Sequence, residues 1–96
     1  MKNLTLENIT KVCGGVYFGP ADKLDQEVSS ITTDSRKIEA GSLFVPIVGE
    51  RVDAHKFIPQ VMEAGALATL SERTLENADF PYIKVKSSLQ AVKDIA

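Results

Sequence analysis

The sequence predicts an α/β fold: a single small domain built on a sheet of about five strands flanked by helices. Three observations support this. Helix-period and strand-period patterns alternate along the chain. One run, Leu43-Phe44-Val45-Pro46-Ile47-Val48, is apolar throughout, as in a central strand covered on both faces. The 96 residues with 44% hydrophobic content suffice for one core and are too few for two.

Taken in order, Thr5 opens a short helix in which Leu6, Ile9 and Val12 share a face, and Gly14-Gly15 stops it. Val16-Tyr17-Phe18 reads as a brief strand halted by Gly19-Pro20. Ala21 to Gln26 is polar and turn-like, and Glu27 to Thr32 alternates as a half-buried strand should. A turn closes on Gly41 before the apolar run. Asp53 is placed to cap a helix carrying Phe57, Ile58, Val61 and Met62 on one side, with Ala64-Gly65 as its stop. Ala66 to Leu70 predicts a buried strand, and Ser71 to Asp79 a polar stretch with room for one helical turn. Tyr82 to Val85 predicts another strand, and Ser87 caps a last helix with Leu89, Val92 and Ile95 aligned. That helical pattern is still running at Ala96, so the expectation is a domain excised from a longer protein.

The chain ends of two of these strands carry the functional signal. Thr33-Asp34-Ser35-Arg36 sets a hydroxyl, a carboxylate, a hydroxyl and a guanidinium on consecutive residues after one strand. Gly49-Glu50-Arg51-Val52-Asp53-Ala54-His55 follows the next. Polar loops beyond the ends of apolar strands are where an open α/β sheet holds a small ligand. Two readings of the first loop stand: its hydroxyls, backbone N–H groups and Arg36 hold a phosphate or a base edge, or Asp34 bonds its own backbone and Arg36 forms a surface ion pair. Gly49-Glu50-Arg51 is likewise either a charged loop tip or a ligand cover.

Several functions are excluded. Eleven basic and thirteen acidic residues give a net charge of -2, and no basic cluster exceeds two adjacent residues, which argues against nucleic acid or an anionic membrane as the main partner. Cys13 is the only cysteine and reads as a small buried apolar residue, so there is no intrachain disulfide, and a reducing cytoplasm fits. The N-terminus lacks the apolar core of a signal peptide, and no stretch reaches the roughly 20 apolar residues of a membrane span. His55 is the lone histidine, more in keeping with a hydrogen-bonding loop residue than a catalytic base, and no cluster has metal-ligand spacing. Gly14-Gly15 is followed by no Gly-Lys-Ser/Thr, so a triphosphate loop is missing too.

The ordered set Thr33-Asp34-Ser35-Arg36, Gly41-Ser42-Leu43-Phe44-Val45, Gly49 through Ile58 and Ala64-Gly65-Ala66 closely resembles the N-terminal domain of the Mur ligases. These bacterial enzymes build the peptide stem of peptidoglycan on a UDP-N-acetylmuramoyl carrier. The resemblance spans nearly the whole chain and implies a mixed sheet. Leu4 to Ile9 with Gly14-Gly15, the Gly49-Glu50-Arg51 loop and Phe80 to Ile83 look most like the member that adds D-alanyl-D-alanine to the UDP-linked tripeptide. The member that adds the third residue, a diamino acid or lysine, is the alternative. A stand-alone nucleotide-sugar binding or interaction module is the alternative of another class.

The resemblance implies that residues 1–96 hold the UDP end of a UDP-N-acetylmuramoyl-peptide. By position, Thr33, Ser35 and Arg36 match UDP-contacting residues, and Gly49, Glu50, Arg51 and Val52 match a segment closing over the uracil. Asp34, Asp53 and His55 match loop-supporting positions, with no catalytic residue and no metal or cofactor in this part. ATP and magnesium would serve central and C-terminal domains of the same chain, and these residues alone would be inactive. Two departures stand out: Ala54 where the family usually has glycine, and Pro46 where alanine is common. If that glycine serves a left-handed backbone, Ala54 implies a changed loop.

Overall fold

The structure is a computed structural model and describes residues 4–49, 53–75 and 78–95. Helix α1 (Leu6–Cys13) is capped by the Thr5 hydroxyl, which accepts from the Asn8 N–H at 3.1 Å. Leu6 and Ile9 are buried beneath it. Val12 is half exposed instead, and Cys13 one position on packs against the core. Cys13 is half-buried rather than fully buried as expected, and what burial it has pushes its thiol above its ordinary pKa.

The end of α1 needs both its glycines, for different reasons. Gly14 takes a left-handed φ of 64°, and the Gly15 N–H then donates back to the Thr10 carbonyl at 3.0 Å. At Gly15 the constraint is space: a Cβ there would lie 2.7 Å from the Lys84 carbonyl oxygen. That close approach lets α1 turn directly into strand β1 (Val16–Phe18).

The remaining elements are β2 (Ile31–Thr32), β3 (Leu43–Phe44), α2 (Ile58–Glu63), β4 (Ala68–Ser71), β5 (Tyr82–Lys84) and α3 (Ser88–Ile95). Short 3₁₀ turns occupy Ala21–Lys23, Ser35–Lys37 and Ala54–Phe57. The sheet order is β1-β5-β4-β3-β2, with β1 antiparallel to β5 and every other pair parallel. It is thus a mixed five-stranded sheet, as expected.

Side chains alternate across this sheet and build two cores. Leu43 and Val45 point with Leu70, Ile83 and Ala91 into a cluster under α1 and α3. Phe44 points the other way, into a cluster with Ile58 and Val61 of α2. The apolar run is therefore covered on both faces, but its strand is shorter than the run. Val45 N–H makes the last ladder bond, to Thr32 O at 2.9 Å, and Pro46 has no N–H to continue it.

Three other expectations shift. Glu27 pairs with Thr5 and the Val28 N–H donates to Leu4 O, so those residues brace the start of α1 and only Ile31 and Thr32 join the sheet. In α3, small Ser88 and Ala91 face the core and Leu89 is exposed, because α3 packs closely against α1. No helical turn forms among the described residues between β4 and β5. That connection is fastened by Tyr82, whose hydroxyl accepts from the Leu75 N–H at 3.0 Å while its ring stacks on Phe18 at 5.0 Å.

The two glycines should separate in a urea-unfolding series. Gly14→Ala is expected to cost about 1 kcal/mol, the strain of a left-handed alanine. Gly15→Ala should cost more, since the backbone of β5 would have to move; equal losses would contradict the packing described.

Candidate functional site

The C-terminal ends of β2 and β3 deliver both polar loops to one edge of the sheet. After β2, the Thr32 hydroxyl accepts from the Asp34 N–H at 3.0 Å, which turns the chain outward. Asp34 then caps the Ser35–Lys37 turn by accepting from the Arg36 N–H at 2.9 Å. The Arg36 guanidinium folds back onto the same carboxylate through Nε and Nη2, each at 3.1 Å. That hydrogen bond holds the Asp34 carboxyl below its ordinary pKa and raises that of Arg36.

The turn reading of this loop therefore holds for Asp34, without excluding binding. Arg36 is exposed and commits two of its five N–H donors to Asp34. No described residue hydrogen-bonds the hydroxyls of Thr33 or Ser35. A cleft of about 690 Å³ opens beside them, lined by Thr33, Asp34, Ser35, Arg36, Ala54, Phe57 and Gln60. Folding thus joins the first loop to the end of the second. Sequence reasoning missed Phe57 and Gln60 as cleft residues; Phe57 packs against the Phe44 cluster, as its place on the apolar side predicts, and lines the cleft as well.

The second loop is closed at its base, where Val48 pairs with Asp53 and the Ala54 N–H donates to Ile47 O at 3.2 Å. Gly49 is exposed and away from the cleft lining. Glu50, Arg51 and Val52 lie outside the described residues. Ala54 begins the right-handed 3₁₀ turn Ala54–Phe57, a conformation open to any L-residue. Its departure from glycine accordingly leaves this turn unstrained.

Asp53 and His55 support that turn. The Asp53 carboxylate accepts from the His55 backbone N–H at 3.0 Å and lies 2.7 Å from His55 Nδ1; its other oxygen pairs with Arg73. The buried His55 ring accepts at Nε2 from the Glu72 N–H at 2.9 Å. An acceptor at Nε2 requires the proton on Nδ1, so the ring is the neutral tautomer donating to Asp53. Burial pushes the His55 pKa down, opposed by the Glu72 carboxylate. Glu72 Oε2 in turn accepts from the Ser88 N–H at 2.8 Å, at the start of α3. Sequence reasoning missed Glu72 and Arg73, which lie 17 and 20 residues from their partners.

A second cleft, of about 620 Å³, lies on the other side of the turn, among His55, Lys56, Ile58, Pro59, Arg73 and Phe80. Its walls are mainly apolar, both His55 ring nitrogens are engaged and Arg73 is turned onto Asp53. The first cleft carries the two free hydroxyls and the uncommitted N–H groups of Arg36, whereas the second carries the Lys56 ammonium and the N–H groups of Arg73 that Asp53 leaves open. Among the described residues no group of three or more His, Cys, Asp or Glu could hold a metal ion. No described helix is long and apolar enough to cross a membrane.

A family model described as "Mur ligase family, catalytic domain" matches residues 27–96. The chain belongs to the Mur ligase family. It is 38% identical over 96 residues to the UDP-N-acetylmuramoyl-tripeptide--D-alanyl-D-alanine ligase of Escherichia coli (strain K12), covering 100% of this chain and 20% of that one. It is 41% identical over 81 residues to the UDP-N-acetylmuramoyl-L-alanyl-D-glutamate--2,6-diaminopimelate ligase of Listeria monocytogenes serotype 4b (strain F2365), covering 84% and 16%. Among solved structures, MurF from Acinetobacter baumannii superposes with a TM-score of 0.80 at 29% identity over 94% of this chain and 19% of that one. The chain thus spans about a fifth of the length of these Mur ligases.

Because His55 is neutral in the fold and free to protonate when unfolded, the unfolded state binds more protons below its pKa of about 6.5. Stability should be full above that pH and decline as the pH falls through 6.5 toward the lower folded pKa. Chemical denaturation at pH 7.5 and 5.5 reads this directly. His55→Asn should be less stable at pH 7.5 and should lose most of this difference; an unchanged difference would show that other groups carry it.

Proposed function

We propose that these residues hold the UDP end of UDP-N-acetylmuramoyl-tripeptide in an ATP-dependent ligase that adds D-alanyl-D-alanine during bacterial peptidoglycan synthesis. The observation that carries this reading is the cleft between Thr33–Arg36 and Ala54–Gln60, with two unengaged hydroxyls and an exposed guanidinium on one wall. A diphosphate is matched by hydroxyl donors and by the Arg36 N–H groups that Asp34 leaves open. Phe57, whose ring also carries the Lys56 ammonium at 5.2 Å, lines the same cleft and supplies aromatic contact for a pyrimidine ring. Gly49 belongs to the loop preceding Ala54 and takes no direct part in the described cleft.

The D-alanyl-D-alanine assignment is supported by a similarity that runs the full length of the chain. A second reading, the ligase that adds 2,6-diaminopimelate, is favoured by the higher identity over a shorter stretch. In either reading the amide-forming chemistry, with its ATP and magnesium, belongs to central and C-terminal domains of the same protein. The role of this part is to bind and orient, and its place is the bacterial cytoplasm.

Titration of the chain with UDP, followed by amide resonances, tests the binding reading. Thr33, Ser35, Arg36, Ala54 and Phe57 should shift together at up to millimolar ligand, while α3 stays still. No response would overturn the reading. In a full-length ligase carrying these residues, Ser35→Ala should raise the KM for the UDP substrate several-fold with kcat little changed, the signature of lost ground-state binding. An unchanged KM would remove Ser35 from the site. Turnover with the UDP-linked tripeptide and D-alanyl-D-alanine, set against the UDP-linked dipeptide and 2,6-diaminopimelate, separates the two ligases.

A further inference from the structure

We infer that Arg73, which lines none of the nucleotide cleft, is a positioning residue for it, acting through Asp53 on the Ala54–Phe57 turn. The inference rests on the UDP reading above and names a determinant of that same site. Its starting point is that Asp53 is held from two directions. One oxygen takes the His55 backbone N–H and Nδ1, within the turn itself. The other takes Arg73, from beyond the end of β4.

Arg73 is well placed to act as a fixed post. Its backbone is tied down by the buried Ser71 hydroxyl, which accepts from the Arg73 N–H at 3.0 Å and donates to the Arg73 carbonyl at 2.7 Å. The preceding residue, Glu72, is tied to His55 through its N–H and to the start of α3 through its carboxylate. The guanidinium therefore reaches out from a stretch anchored in the sheet and in α3. On the far side of Asp53, Ala54 and Phe57 form the wall that faces Thr33 and Ser35. A carboxylate bridging turn and sheet sets the distance between the two walls, and preorganised walls bind more tightly than walls that must be ordered by the ligand.

The exposure of Arg73 separates this role from a purely structural one. With its side chain 58% accessible, removing it opens no cavity, and an exposed ion pair adds little to stability. Its loss should therefore show in binding rather than in unfolding.

The test is UDP binding to the chain by calorimetry, with wild type, Arg73→Ala, Arg73→Lys, Asp53→Asn and the Asp53→Asn/Arg73→Ala double variant. Arg73→Ala is expected to weaken UDP about three- to fivefold, with the midpoint of thermal unfolding nearly unchanged. Its ligand-free amide resonances at Ala54 and Phe57 should shift. Arg73→Lys should recover part of the affinity by restoring the charge. In the Asp53→Asn background, which keeps the acceptor for His55 but removes the charge facing Arg73, Arg73→Ala should add no further loss. Wild-type affinity in Arg73→Ala would overturn the inference and leave the UDP reading standing. An equal loss with and without the Asp53 carboxylate would also overturn it, because Arg73 would then act independently of Asp53. A wild-type chain that takes up no UDP would overturn the UDP reading and this inference with it.

Discussion

The neutral imidazole of His55, hydrogen-bonded through both ring nitrogens, is the constraint on which the candidate site depends. Nδ1 donates to Asp53, two residues back, and Nε2 accepts from the backbone of Glu72, at the end of β4. A buried polar ring with either partner missing would cost about 1–3 kcal/mol, so the two contacts are maintained together. Their joint effect is to fasten the Ala54–Phe57 turn to the sheet. The cleft wall formed by Ala54 and Phe57 is thereby tied to the end of β4 through His55.

The opposite wall is organised locally. Thr32 and Asp34 turn the chain with their own side chains, and the Asp34 carboxylate holds Arg36 against itself. The turn and the candidate site are thus one arrangement seen from two sides. Asp34 is consumed in making the turn, and in doing so it leaves the hydroxyls of Thr33 and Ser35 facing a cleft and pins the guanidinium beside them. A cation fixed before the ligand arrives loses less side-chain freedom on binding. One wall of the cleft is thus preset by short-range bonds and the other by long-range bonds.

How much of this was legible in the sequence follows the range of the interactions. The α1 cap at Thr5, the Asp53 cap, the stop at Gly14 and the two-sided burial of Leu43 to Val45 depend on neighbours within a few residues, and the sequence pattern predicts them. Where distant partners decide, the pattern misleads. Glu27 and Val28 alternate like a strand but are taken by Leu4 and Thr5, and Leu89 yields the core face of α3 to smaller Ser88 and Ala91 so that α3 can approach α1. The polar loops were visible as chemistry, yet their meeting in one cleft was not, since it requires the parallel pairing of β2 with β3 and the position of α2. Glu72 and Arg73 left no local sign, being ordinary charged residues in a polar stretch until β4 places them beside His55 and Asp53.

The most direct measurement is a crystal structure of the chain with UDP. The expected result places the diphosphate within hydrogen-bonding distance of the Thr33 and Ser35 hydroxyls, with the nucleotide between that loop and Phe57, and His55 still bonded to Asp53 and to the Glu72 N–H. UDP seated instead in the cleft between His55, Arg73 and Phe80, or bound with Thr33 and Ser35 untouched, would contradict the account.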